Sequence, residues 1–61
     1  MTGIELRRRR VRLRLTQKKL ADALGVTANT VARWERGEKK IGHEKTLELA
    51  FSSLELEAAN G

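Results

Sequence analysis

The chain contains no cysteine and no proline, and its only aromatic residues are Trp34 and Phe51. Without cysteine there is no disulfide framework and no thiolate metal site, a usage that fits the cytoplasm. His43 is the only histidine, too few for a metal site, so it reads as a helix-start or surface residue. Ser52 and Ser53 have no partnering base and orienting acid, and no glycine-rich phosphate loop is present, so the chain reads as a non-enzyme without a cofactor. No apolar run approaches the roughly 18–20 residues of a membrane span. The basic start MTGIELRRRR is not followed by the apolar segment of a secretory signal. No alternating strand pattern occurs anywhere, and apolar residues recur at helical spacing, so the expected fold is all-α. Sixty-one residues make a single domain (1–61) with a small core, for which help from a partner subunit is expected.

Charge is plentiful and uneven. The net charge is +5, from 13 lysines and arginines against 8 acids. All 13 bases lie before residue 46 with five of the acids, leaving that stretch at +8; residues 46–61 hold three acids and no base, −3. A basic body with an acidic tail suits a polyanion on one surface and a different contact at the other end.

Four helices, or five if the last divides, follow from the periodicity. Helix 1 begins at Thr2, which has capping-box spacing to Glu5. Its core side carries Leu6, Arg10 and Leu13, while Arg7, Arg8 and Arg9 read as a solvated face and Ile4 and Val11 as a thin outer stripe. Helix 2 starts with Thr16 as N-cap and Gln17 at the first helical position, and buries Leu20, Ala21 and Leu24. Gly25 ends it in the left-handed conformation, and Val26 plugs the core. Helix 3 is capped by Thr27 and runs to about Arg36, with Gly37 as its stop. At about 100° per residue, Val31, Trp34 and Glu35 face inward, whereas Asn29, Arg33 and Arg36 share the opposite face. A stacking platform is the other use of Trp34, but its wheel position assigns it to the core. The final helix runs from about 43 to 58, with a core stripe of Leu47, Ala50, Phe51, Leu54 and Ala58. Leu49 and Leu56 point the other way and, together with Ile4 and Val11, are candidates for a homodimer seam, against the plainer reading of scattered surface leucines.

The segment from Thr16 to Gly37, TQKKLADALGVTANTVARWERG, therefore has the form of a helix-turn-helix. With Arg10, Leu15-Thr16-Gln17, Leu20-Ala21, Gly25-Val26-Thr27, Val31, Trp34-Glu35 and Gly37 at unbroken spacing, the chain resembles the Cro/phage-repressor (XRE) family over residues 4–41. The resemblance implies that helix 3 enters the major groove of double-stranded DNA. It further implies that Ala28, Asn29 and Arg33 meet bases, and that Gln17, Thr27, Thr30, Arg36, Lys39 and Lys40 meet backbone phosphates. Lys18, close to the helix 2 N-terminus, joins them. Arg10 and Glu35 match a partly buried ion pair. Two positions depart from the family: Arg9 stands where an apolar residue is common. Arg14 stands where glycine usually ends helix 1, so that helix either ends differently or holds Arg14 at positive φ.

The groove chemistry fits this assignment. Asn29 can offer an acceptor and donors to adenine N7 and N6, and the Arg33 fork suits guanine O6 and N7. The expected function is sequence-specific binding by a small homodimeric transcriptional repressor. The competing expectation is an interaction module, or an antitoxin-like protein, whose acidic last helix holds a partner protein. A membrane-surface peptide is a weaker third reading, opposed by the break at Gly25.

Overall fold

The computed structural model describes residues 1–60 and contains four helices, with no strand among the described residues. They are α1 (Gly3–Arg12), α2 (Gln17–Leu24), α3 (Ala28–Arg36) and α4 (Glu44–Asn60). The fold is all-α, with α2 packed on both α3 and α4 and α1 packed on α3.

Threonine starts each of the first three helices. Thr2, Thr16 and Thr27 have extended backbones and accept hydrogen bonds from the amides of Glu5 (3.2 Å), Lys19 (3.0 Å) and Thr30 (3.2 Å). Each bond satisfies a first-turn donor that has no partner inside the helix. The same three helices also end alike. After α2, the Val26 amide reaches back to the Ala21 carbonyl and Gly25 to Asp22; after α3, Glu38 reaches Arg33 and Gly37 reaches Trp34. These paired bonds require a left-handed residue, supplied by Gly25 (φ 74°) and Gly37 (φ 75°). After α1 the pattern repeats, Leu15 to Arg10 and Arg14 to Val11, but the left-handed residue is Arg14 (φ 57°). Of the two alternatives open at Arg14, the chain adopts the strained one.

Leu6, Leu20, Ala21, Val31, Leu47 and Phe51 form the buried core, one or two from each helix. Half-buried around them lie Leu13, Leu15, Leu24, Val26, Trp34, Ile41 and Leu54. Trp34 also walls a small apolar cleft of about 90 Å³ with Leu24, Val26, Ile41 and Leu47. Its Nε1 is buried and has no hydrogen-bond partner among the described residues.

Two expectations about the periphery change. The α4 core stripe stops at Leu54, and Ala58 is exposed. At 17 residues α4 outruns the 10-residue α1 and the 8-residue α2, so among the described residues nothing covers the stretch 55–59. Arg9 is not part of a solvated face. Its guanidinium sits 4.5 Å from the centre of the Phe51 ring and bridges Glu48 and Glu55 (3.0 Å to the latter). The acceptor carboxylates keep Arg9 charged, with its pKa raised by the hydrogen bonds to Glu55 and Glu48. A cation over the ring thus closes the core where a family member commonly places an apolar side chain.

Candidate nucleic-acid interface

The turn between α2 and α3 holds α3 with Val31 in the core and its opposite ridge in solvent. Asn29 and Arg33 are exposed on that ridge, and neither side chain hydrogen-bonds to another described residue. Arg36 is exposed on the same ridge one turn away, but its Nε donates to Glu38, whose carboxyl is thereby held below its ordinary pKa. Arg36 is therefore neutralised locally rather than free. Arg33 and Arg36 both lie in the last turn of α3, where the helix dipole favours positive charge.

Two concave flanks border the ridge. One is lined by Arg7, Gln17, Ala32 and Arg36; the other by Thr27, Thr30, Lys39 and Lys40. Lys18 is exposed on the first turn of α2. Gln17 and Arg36 are thus brought to one flank, and Thr27, Thr30, Lys39 and Lys40 to the other, with one qualification each for Ala28, Gln17 and the two threonines. Ala28 is half-buried and packs against the core, so its methyl group serves helix packing before any base. Gln17 spends one amide hydrogen internally, donating to Glu35 Oε1 at 3.2 Å; its second hydrogen remains for a phosphate. The hydroxyls of Thr27 and Thr30 are bonded to each other at 2.9 Å. Arg7 is exposed, as the sequence reading has it, and also lines the first flank. The signal was present: Arg7 lies about 100° from Leu6, on the same side of α1 as Arg10.

Behind that flank sits the Arg10–Glu35 pair. Arg10 Nε donates to Oε2 at 2.6 Å and Nη2 to Oε1 at 3.0 Å, a bidentate fork, while Nη1 donates to the Leu15 carbonyl at 2.8 Å. The side chains are only 12% and 5% exposed. Burial pushes the Glu35 pKa up, but the hydrogen bonds from Arg10 and Gln17 outweigh it and hold the carboxyl below its ordinary value. The pair locks α1 to α3 and orients Gln17 at the α2 N-terminus.

A short helix held by its turn, with an uncommitted Asn/Arg ridge and basic flanks, defines a helix-turn-helix DNA-binding domain. A helix-turn-helix family model matches residues 6–50, and the chain belongs to the Cro/C1-type (XRE) family. It is 50% identical over 39 residues to the type II methyltransferase M1.ScrFI of Lactococcus lactis subsp. cremoris, a match covering 59% of this chain and 10% of that protein. It is 50% identical over 38 residues to the type II methyltransferase M.SsoII of Shigella sonnei, covering 57% of this chain and 10% of that protein. The chain therefore spans about one-tenth of the length of these curated relatives. No solved structure matches it. Among the described residues, no helix is long and apolar enough to cross a membrane.

Proposed function

We propose that this chain is a non-catalytic transcriptional repressor of the cytoplasm that binds double-stranded DNA sequence-specifically, each of two copies reading one half-site. The observation that carries this reading is the α3 ridge. Asn29 and Arg33 are exposed and unengaged beside flanks of opposite sign to DNA. In the major groove, Asn29 pairs with adenine and Arg33 with guanine, while Gln17, Lys18, Lys39, Lys40 and the two threonines hold phosphates and set the register. Ala32, half-buried and small, lets the helix backbone approach the groove. Repression follows from occupancy of the operator.

Selection of bound duplexes from a random pool tests this, with a palindromic site expected. On that site, Arg33→Ala should cost about 1–3 kcal/mol and relax preference at one base pair per half-site. Gln17→Ala should weaken selected and random duplexes alike. If both variants lose equally on both duplexes, base reading by Arg33 is wrong. With about four phosphates neutralised per copy, the log–log salt slope should lie near −7. The rival reading, a protein-interaction module of antitoxin type, draws on the exposed Leu49 and Leu56 of acidic α4; it gains if the chain leaves duplex DNA unbound at physiological salt.

A further inference from the structure

One acid stands in the basic loop after α3. Between Glu35, which is committed to Arg10, and Glu44 the chain has a single carboxylate, Glu38, followed at once by Lys39 and Lys40. The backbone fixes its place: the Glu38 amide donates to the Arg33 carbonyl at 2.9 Å, just past the left-handed Gly37. A carboxylate is thereby held at the C-terminal end of α3, where the helix dipole disfavours negative charge. The same place adjoins residues that would meet DNA, whose phosphates repel it. Both effects oppose an acid here, and its side chain bonds among the described residues only to Arg36. Arg36 lines the flank that holds Gln17 and Arg7. Its guanidinium, helped by the more distant Arg33, holds the Glu38 carboxyl below its ordinary pKa and so keeps it charged. We propose that Glu38 is an intramolecular competitor of DNA phosphate for Arg36, so that in the wild-type chain Arg36 neutralises no phosphate.

The geometry suits a competitor rather than a structural tie. The two side chains are 56% and 52% exposed and only two residues apart. Their bond therefore joins no second element to α3, unlike the buried Arg10–Glu35 fork, and an exposed pair of this kind stabilises a fold little. A carboxylate and a phosphate oxygen make the same charge-assisted bond to a guanidinium, so whichever holds Nε excludes the other. The Nη groups stay open, but a phosphate on them would lie against a carboxylate on the same planar fork. Glu38 thus cancels one cation of the interface, whereas Arg33, Lys39 and Lys40 make no ion pair among the described residues. The inference rests on the reading of the chain as a DNA-binding protein and assigns its loop acid a role in setting affinity.

The salt dependence of duplex binding tests it, because each phosphate neutralised adds about −0.9 to the log–log slope. Four full-length chains are compared on one duplex: the wild type, Glu38→Gln, Arg36→Gln, and the double variant. Both sites are exposed, and circular dichroism checks that every variant stays helical. The wild type should show a slope of about −7 for two copies, and Glu38→Gln a slope of about −9, as each released arginine takes up one phosphate. Binding at physiological salt should tighten by up to about fivefold per copy. In the Arg36→Gln background, adding Glu38→Gln should leave the slope unchanged, since no cation is there to release. A Glu38→Gln slope equal to that of the wild type overturns the proposal. So does an equal steepening in the Arg36→Gln background, which would make Glu38 a general repulsive charge. Chains that all ignore every duplex refute the DNA reading and the competitor with it, whereas wild-type binding with an unmoved slope refutes the competitor alone.

Discussion

Replacing Glu35 by alanine removes the acceptor for two Arg10 bonds and one Gln17 bond at a stroke. Arg10 cannot lose its proton, and its side chain is only 12% exposed, so the guanidinium is left with the Leu15 carbonyl as its remaining partner. Stranding a buried charge in this way costs about 3–5 kcal/mol. A chain of this length has a total stability of about 3–9 kcal/mol, so the loss is comparable with the whole. Since 1 kcal/mol moves the melting temperature of a small domain by roughly 4–8 °C, thermal melting followed by circular dichroism should fall by well over 10 °C. The companion Arg10→Leu/Glu35→Leu variant separates the charge from the pairing. Removing both ions leaves no stranded guanidinium, and most of the lost stability should return. If Glu35→Ala melts with the wild type, or if the double variant is no better than the single one, the pair is not what joins α1 to α3.

Arg14→Gly should raise the melting temperature by several degrees, since it relieves a left-handed non-glycine residue at a cost of about 1–2 kcal/mol to L-residues; an unchanged or lower value would contradict the strain. Gly3→Ala should destabilise by about 1–3 kcal/mol despite better helix propensity, because its Cβ would stand 2.3 Å from the Trp34 carbonyl oxygen and 2.8 Å from that of Glu35. A more stable Gly3→Ala variant would show that α1 shifts freely on α3. Glu35 has its folded pKa below the ordinary 4.5, so the pair's contribution is complete above that pH and is lost as pH falls through the lowered folded value. Melting temperature should therefore drop in acid for the wild type and drop less for Glu35→Gln; identical acid profiles would remove Glu35 from the account.

Local signals in the chain carry most of the fold. Threonine at three starts and glycine at two stops are choices the backbone makes within a few residues, so α2 and α3 can be read directly from them. The inward set of α3 is likewise a matter of spacing. Arg9 was not legible, because its partners Glu48, Glu55 and Phe51 lie about forty residues away and only packing brings α4 over α1. The end of the α4 stripe was hidden for the same reason: periodicity continues to Ala58, but the body beneath it does not. The need for Gly3 has no local signal, because the close approach that requires it exists only once α1 meets α3. At the interface, spacing identified the ridge, whereas the internal commitments of Gln17, Arg36 and the threonine pair are properties of rotamers and neighbours.

The lone indole at residue 34 gives the molecule a built-in optical reporter. It is half-buried on the inner side of α3, packed against the core, so its emission reports on how that helix is seated. Because its ring nitrogen bonds to nothing among the described residues, exchange for phenylalanine would darken the chain without breaking a polar link, yielding a matched blank for stopped-flow work.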